Sequence, residues 1–468
     1  MKRLGKVLRG LTILMMLPWF VEAQHHAMPE GHAKKSEEVH SIREFFSEGH
    51  FHGHIRLNSM ATINSGALTD YYANGLGGVL EYQTANFKGF ELGLSGFYAF
   101  NLGSSDFSEL DPIAERPAWY EWQLFDLHDP ENKYDLDRLE QLYLRYRFAD
   151  RSYVQIGRMG IHTPLMNTQD TRMKPYVVQG AWSQWEAVKS LTLHAGFFTH
   201  ASPRSTLEWY PMGEVLGMYE HALWGHGHEV PAVQDTEGVA ILGINYQGKK
   251  PWSIDVWNYT IENISNTFFG QWLYKRKVSQ WHAVMGLQYI YQHQIGTGGH
   301  EEAELAFMEE GQQINILSGK LGIEEKAWEV SMNYTWASDQ GRYTFPREWG
   351  REHLFTSILR NRMDGLGNFQ VLVLKSAWKP SDHLTFKLEG GRFWLPSHED
   401  KAMNHYGDLS HNQLNVETDY DFSKFFEGLH LQLLYVWKGN TEELYGEIEP
   451  LFYNADLHHF SLIANIEF

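Results

Sequence analysis

Hydrophobic and polar residues alternate along most of this chain, from about residue 54 to its last residue. Near residue 145, one face of an extended segment is apolar and the other mostly polar: Leu142, Leu144, Tyr146 and Phe148 alternate with Gln141, Tyr143, Arg145 and Arg147. The end of the chain repeats the pattern, with one face formed by Phe460, Leu462, Ala464, Ile466 and Phe468. Because successive side chains of a β-strand point to opposite sides, this period of two predicts strands that each have one apolar face.

Short polar turns and longer polar segments separate the predicted strands in strict alternation. The short turns lie near Lys88–Gly89, Asp150–Arg151, Val188–Lys189, Gly248–Lys250, Arg276–Lys277, Glu324–Lys326, Pro380–Asp382 and Lys424–Gly428. The longer segments lie around 65–75, 102–137, 161–179, 200–237, 261–267, 292–312, 337–367, 395–410 and 439–456. This arrangement predicts about 18 strands, with both ends of the chain on the side of the short turns.

Short turns on one side and long loops on the other are typical of bacterial outer membrane barrels. We therefore predict an all-β fold, a transmembrane antiparallel up-and-down β-barrel of about 18 strands, with short periplasmic turns and long outer loops. A barrel of this size is wide enough to leave an aqueous channel. An exported β-sandwich or propeller is the alternative, although neither of these folds requires the difference between the two sets of connections.

The composition and the N-terminus agree with an exported barrel. The chain combines 17 Trp, 24 Tyr and 27 Phe with a mean hydropathy of −0.43. A barrel explains this combination, because aromatic girdles and an apolar outer band accompany a polar lumen and polar loops. Basic residues followed by the apolar segment LTILMMLPWF predict a secretory signal peptide over residues 1–23. A histidine-rich periplasmic segment over 24–53 would then precede a barrel over 54–468.

Several classes of function are disfavoured by the composition. The chain has no cysteine, which excludes disulfides, thiolate metal sites and cysteine nucleophiles. Its formal charge of −19 argues against a nucleic-acid partner. The segment Gly93–Gly96 is not a nucleophile elbow, and the chain contains no H-E-x-x-H motif. We expect no enzyme and no cofactor, although a catalytic triad assembled from distant residues is not visible in a sequence.

Histidines are concentrated at the start of the predicted mature chain. His50, His52 and His54 alternate, so three imidazoles would share one face of an extended segment. Neutral imidazole binds Zn²⁺, Cu²⁺ and Ni²⁺, which makes these three residues candidate metal ligands. A polar periplasmic linker that leads into the first strand explains the same residues without a metal, and we favour this interpretation.

Charged residues on the polar faces of the predicted strands would line the lumen. Arg56, Arg145 and Arg147 are in this position, together with carboxylates such as Glu91. Charges inside a narrow pore set its ion preference, whereas pairing between neighbouring strands would stiffen the wall, and both roles are compatible. Carboxylates crowd the second and sixth long segments, where most of them would form a solvated face. Binding of divalent cations that bridge lipopolysaccharide is a second role open to them.

Three segments carry a distinctive residue pattern. The longest runs over 139–180 as LEQLYLRYRFADRSYVQIGRMGIHTPLMNTQDTRMKPYVVQG, and HASPRSTLEWYPMG and DYDFSKFFEGLHLQLLYVWKGN follow later in the chain. These segments resemble the OprD-type outer membrane porins, whose pattern places a loop between two prolines after a glycine-containing strand end. The matching positions are Gly157, Pro164, Asn167, Asp170, Arg172, Pro175 and Gly180.

The resemblance implies a narrow, substrate-selective channel whose third outer loop folds inward and meets a ladder of basic residues on the wall. The third loop of this chain would span 161–179. The implied residues of the pore constriction are Asn167, Asp170, Arg172 and Lys174, and those of the pore wall are Arg56, Arg145 and Arg147.

We therefore predict a selective outer membrane porin for passive diffusion of small water-soluble solutes, carboxylate-bearing ones in particular. The alternative is a metal-related outer membrane channel or binding protein that uses the histidine-rich N-terminus. The expected partners are outer membrane lipid, lipopolysaccharide, small solutes, and the barrel assembly machinery, which would read the C-terminal Phe468. The barrel would be a monomer or a trimer.

Overall fold

The computed structural model describes residues 38–169, 172–216, 218, 233–248 and 251–468, and it contains a closed antiparallel barrel. Eighteen strands each pair with the next strand along the chain, and the first strand pairs with the last to close the sheet. The closing register runs from His54 opposite Glu467 to Ile63 opposite His458. The predicted fold class is confirmed.

The barrel strands are numbered in chain order. They are β1 (His50–Ile63), β2 (Tyr71–Gln83), β3 (Phe90–Ser104), β4 (Arg138–Ala149), β5 (Ser152–Met159), β6 (Val177–Val188), β7 (Leu191–Ser202), β8 (Val239–Gln247), β9 (Trp252–Ile261), β10 (Ser265–Val278), β11 (Trp281–Gln294), β12 (Gln313–Glu325), β13 (Trp328–Ala337), β14 (Gln370–Ser381), β15 (Leu384–Trp394), β16 (His411–Asp421), β17 (Leu429–Asn440) and β18 (Leu457–Glu467).

The connections between these strands follow the predicted alternation closely. The loops on the long side, called the first to the ninth loop in chain order, span 64–70, 105–137, 160–176, 203–238, 262–264, 295–312, 338–369, 395–410 and 441–456. One turn differs from its predicted position, since β10 continues through the basic residues to Val278 and the turn lies at 279–280. Strand pairing between Val278 and Trp281 outweighs the polar character of Arg276 and Lys277, which water can solvate at the strand end.

The two faces of the strands differ in exposure as the alternation predicts. On β4, Leu142 and Leu144 are exposed on the outer surface, whereas Tyr143 between them is buried. On β18, Phe460 is exposed and its neighbours His459 and Ser461 are buried. The exposed apolar faces together form the outer surface of the barrel, which is the surface that lipid would cover.

The lumen is partly filled by loops rather than open along its length. One buried apolar cluster joins Leu165 and Met166 of the third loop to Trp349 and Ile358 of the seventh loop. A second cluster joins the second and ninth loops to the wall around Phe97. These clusters lie inside the barrel, so apolar packing holds several outer loops within the lumen.

Helices are short in the described part of the chain. Helix α1 (Ile42–Ser47) precedes the first strand, and α2 (Met212–Val215) lies in the fourth loop. No helix among the described residues is both long enough and apolar enough to cross a membrane. The predicted signal peptide lies outside the described residues, and the first barrel strand begins at His50, four residues before the predicted boundary at residue 54.

Candidate pore constriction

The third loop enters the barrel between β5 and β6 and is anchored by buried apolar side chains. Leu165, Met166 and Met173 are almost completely buried, although they belong to a loop. Their burial removes apolar surface from water and thereby stabilises the inward position of the loop. Asp170, a predicted constriction residue, lies outside the described residues.

The third loop is bonded directly to the seventh loop, and Asn167 makes most of this connection. Its backbone N–H donates to the carbonyl of Trp349 at 3.0 Å, and its side-chain amide donates to the carbonyl of Arg351 at 2.8 Å. Gly350 lies at the point of closest approach with a φ of 98°, and a β-carbon there would stand 2.4 Å from the carbonyl oxygen of Asn167. Only glycine tolerates both this backbone conformation and this distance.

A further hydrogen bond links the two loops beside Asn167. His353 Nε2 lies 2.9 Å from the side-chain oxygen of Gln169. Burial and, to a smaller extent, the nearby Arg351 lower the pKa of His353 to about 4. The ring is therefore neutral near pH 7, and a neutral imidazole with its proton on Nε2 can donate to this oxygen.

The seventh loop also reaches three parts of the barrel wall. The side chain of Gln288 on β11 donates to the carbonyl of His353 at 2.6 Å. Lys375 on β14 donates to the carbonyl of Ser357, and Asn415 on β16 donates to the carbonyl of Leu359 at 3.1 Å. The Trp349 ring lies 6.2 Å from the Tyr259 ring of β9, and Arg360 donates to His459 of β18. Because β9 and β18 are on opposite sides of the barrel, the seventh loop crosses the lumen.

A buried ion network stabilises the conformation of the seventh loop. The carboxylate of Asp364 bonds to the guanidinium groups of both Arg347 and Arg362, and Arg362 Nη2 lies 3.8 Å from Glu352. Burial alone would raise the pKa of Asp364, but the two guanidinium groups outweigh it and hold this pKa below its usual value. The loop therefore carries its own compensating carboxylates around two of its arginines.

The inward loops surround a cavity of about 120 Å³ whose lining is strongly basic. Among the described residues, the cationic side chains that line it are Arg116, Arg172, Arg204, Arg347, Arg351, Arg360, Arg362 and Lys438. Asp408 is the one carboxylate in the described part of this lining. A ring of cationic side chains in a confined pore favours anions, and the limited access of water strengthens the attraction.

Aromatic rings hold several of these guanidinium groups in fixed orientations. Arg347 lies 3.5 Å from the centre of the Tyr406 ring, and Arg360 lies 5.4 Å from the centre of the Tyr120 ring. Arg360 also donates to Nε2 of His459 at 2.9 Å. The cationic groups are therefore positioned by stacking and hydrogen bonding before any solute enters.

The predicted constriction residues have different positions relative to this cavity. Arg172 lines it. Asn167 does not line it but joins the third loop to the seventh. Lys174 is absent from the lining, because its side chain is only 1% exposed and its ammonium lies 6.0 Å from the Phe97 ring.

The predicted wall residues are divided between two regions. Arg56 donates to the carbonyl of Arg172 at 2.8 Å, so it supports the third loop from β1. Arg145 and Arg147 lie nearer the short turns, where both approach the carboxylate of Glu91, at 3.5 and 3.2 Å. The structure does not bring these two arginines to the basic cavity.

The candidate metal ligands His50, His52 and His54 lie on β1. His52 Nε2 is 3.4 Å from the carboxylate of Glu81, while the ring of His54 is buried. Within the residues that the structure describes, no group of three His, Asp or Glu side chains is arranged to hold a metal ion.

The contribution of the seventh loop was not part of the sequence prediction. Four of the cavity's cations are the arginines 347, 351, 360 and 362 of this loop. Four arginines within sixteen residues of a long outer loop are unusual for a solvated loop in an acidic protein. This density was the signal that could have identified the seventh loop.

A closed 18-strand barrel with outer loops folded into a basic lumen defines the chain as a channel of the outer membrane porin class. The chain matches the model of the outer membrane porin, OprD family, over residues 89–364, more than half of its length. It therefore belongs to the OprD family, and it is an outer membrane protein. No curated protein matches the sequence.

Solved structures of porins share the fold at low sequence identity. OccAB2 from Acinetobacter baumannii superposes with a TM-score of 0.71 and 12% identity, covering 91% of this chain and 99% of its own. OccD3 (OpdP) from Pseudomonas aeruginosa gives 0.67 and 15%, covering 91% and 92%. OpdK from the same organism, solved with vanillate, gives 0.69 and 13%, covering 91% and 99%.

Proposed function

We propose that this porin admits small anionic solutes, carboxylates in particular, and that the basic cavity between the third and seventh loops selects them. The observation that carries the proposal is the charge of the described lining, with eight cationic side chains against one carboxylate. The positive surplus remains when the buried Asp364, which pairs with Arg347 and Arg362, is counted as well. Guanidinium groups suit the task because their planar donors match the two oxygens of a carboxylate. The fold relative OpdK was solved with vanillate, itself a carboxylate.

Arg172 and Arg351 are the residues to which we assign solute contact. Both line the cavity, and Arg351 also borders a second cavity of about 130 Å³ that lies between the seventh loop and the wall at β12–β15. Lys320, Lys375 and Lys387 line this second cavity together with Glu329, Glu352 and Glu389. An anion that leaves Arg351 would therefore meet a surface of mixed charge, which binds it weakly enough to allow release.

The proposal is tested by solute uptake into liposomes that contain the purified porin. Gluconate and glucose are similar in size, but only gluconate carries a carboxylate. We expect gluconate to enter faster than glucose, and we expect Arg172→Gln or Arg351→Gln to reduce the gluconate rate severalfold while changing the glucose rate little.

Arg151→Gln is the matched control, because Arg151 lies in an exposed turn away from the cavity. Equal rates for the two solutes in the unmodified porin would refute anion selection. Equal loss in the Arg151 variant would remove Arg172 and Arg351 from the proposed contact.

A further inference from the structure

Helix α1, just before the barrel, is strongly amphipathic although it is short. Ser41 begins the helix, with its side-chain oxygen accepting from the backbone N–H of Glu44 at 3.2 Å. At 100° per residue, Ile42, Phe45 and Phe46 share one face of the helix. The opposite side is polar and carries Arg43, Glu44 and Ser47.

The helix is attached rigidly to the periplasmic end of the barrel. The short strand Glu38–Val39, two residues upstream of the helix, pairs with Asn86–Phe87 in the turn between β2 and β3. The backbone N–H of Ala85 donates to the carbonyl of Phe45 at 3.1 Å, and the Phe45 and Phe87 rings are 6.3 Å apart. These contacts use Phe45 and leave the rest of the apolar face outside the barrel.

The attachment is on the lipid-facing side of the wall. Tyr82 alternates with Glu81, whose side chain pairs with His52 on the lumen side, so Tyr82 points outward. Its hydroxyl donates to the carbonyl of Phe46, and its ring lies 4.7 Å from that of Phe51, which is also on the outer face.

The apolar face of α1 continues the aromatic belt of the barrel. Ile42 and Phe46 are 68% and 54% exposed. Tyr82 links Phe46 to the exposed Phe51, since it bonds to the carbonyl of Phe46 and its ring contacts that of Phe51. Phe90 and Tyr146 extend the same belt along the neighbouring strands, with their rings 4.9 Å apart. Aromatic belts of outer membrane barrels lie at the level of the lipid headgroups.

We propose that α1 is an interfacial helix that inserts Ile42 and Phe46 into the inner leaflet of the outer membrane. Its partner is phospholipid, because the exposed face is continuous with the surface that lipid already covers. Arg43 and Glu44 then remain in the water of the periplasm, as in other amphipathic helices that lie in a membrane interface. The helix thereby holds residues 38–47 beside the membrane rather than beneath the lumen.

Spin labels on single cysteines test this position, since the chain has no native cysteine. The variants Ile42→Cys and Phe46→Cys report on the apolar face, and Ser47→Cys on the same helix is the matched control. Each labelled porin is reconstituted in phosphatidylethanolamine vesicles, and exposure is measured to dissolved oxygen, which concentrates in lipid, and to a water-soluble nickel chelate. Leu321→Cys on the lipid-facing surface supplies the reference for a label that is embedded in the bilayer.

We expect the labels at 42 and 46 to favour oxygen over the nickel chelate several times more than the label at 47 does. Labels at 42 and 46 that the nickel chelate reaches as easily as position 47 would overturn the proposal. Protection from both reagents would also overturn it, because it would mean that protein rather than lipid covers the face.

Discussion

Asp364 and Lys174 are both buried ionisable side chains of the loops, but their surroundings have opposite effects. Two guanidinium groups compensate the charge of Asp364. Among the described residues, the ammonium of Lys174 has no hydrogen-bond acceptor. Burial and, to a smaller extent, the nearby Arg138 lower the pKa of Lys174 to about 7. One residue therefore stabilises the folded loops at neutral pH, whereas the other opposes them when it is protonated.

Replacing Asp364 by Asn should destabilise the seventh loop and the barrel. The change leaves Arg347 and Arg362 with an uncompensated buried charge, a loss on the order of 3 kcal/mol in the free energy of unfolding. Since the folded pKa of Asp364 is lowered, the wild-type contribution should be present above about pH 4 and disappear as the pH falls further. Urea titrations of both proteins at several pH values measure this contribution to the free energy of unfolding. Equal urea midpoints at pH 7 would contradict a stabilising role of the Asp364 ion network.

Replacing Lys174 by Met should stabilise the protein at neutral pH. The folded pKa of about 7 lies below the unfolded value of about 10.4, so protonation disfavours the folded state increasingly as the pH falls from 10 to 7. The wild-type midpoint in urea should therefore rise between pH 7 and pH 10, while that of the Met variant stays nearly constant. A parallel pH dependence of the two proteins would argue against a buried, deprotonated Lys174.

Specific bonds join the third and seventh loops inside the lumen. Asn167 and Arg351 are 184 positions apart in the sequence, yet their hydrogen bond fixes the distance between the two loops. The wall contacts of Trp349 with Tyr259 on β9 and of Arg360 with His459 on β18 then hold the seventh loop across the lumen. If these loops form the constriction that we propose, the width of the pore depends on contacts between loops and not on the strands.

Replacing Asn167 by Ala should loosen this connection and widen the pore. The variant loses the side-chain bonds to Arg351 and leaves buried backbone groups without partners, which costs about 1–3 kcal/mol. We expect a larger single-channel conductance with more frequent fluctuations in planar bilayers. Asn132→Ala in the second loop is the control, and an unchanged conductance in the Asn167 variant would show that the loops are held by other contacts.

The whole barrel depends on an apolar outer surface that lipid covers. Leu321 is exposed near the middle of β12, and Gln313 begins the same strand on the same face. Leu321→Arg should cost about 2–4 kcal/mol of barrel stability in lipid, whereas Gln313→Arg near the interface should cost about 0–1 kcal/mol. Folding titrations in phospholipid vesicles compare the two variants. Equal costs would contradict the depth that the structure assigns to these positions.

The barrel could be predicted from the sequence because alternation and turns are local signals. Each strand shows its lipid face directly, as Leu142 and Leu144 do, and the order of short and long connections gives the number of strands. The exact turn after β10 could not be predicted, since pairing between strands extends β10 past its basic residues.

The candidate site was less predictable because long-range contacts create it. The position of Arg172 at the cavity followed from the resemblance to a family, but the burial of Lys174 depends on Phe97 and on other residues distant in sequence. The pairing of Arg145 and Arg147 with Glu91 was one of two roles compatible with their alternation. The seventh loop supplies four arginines to the cavity through tertiary contacts, and the alternation of polar and apolar residues does not predict such contacts.

The selectivity of the open pore is the most direct test of anion selection by the basic cavity. The measurement is the reversal potential of single channels in a planar bilayer that separates concentrated from dilute KCl. We predict a reversal potential whose sign shows that chloride permeates better than potassium. In the Arg351→Gln variant, this potential should move toward zero. A reversal potential of the opposite sign, which shows that potassium permeates better than chloride, would contradict anion selection by the basic cavity.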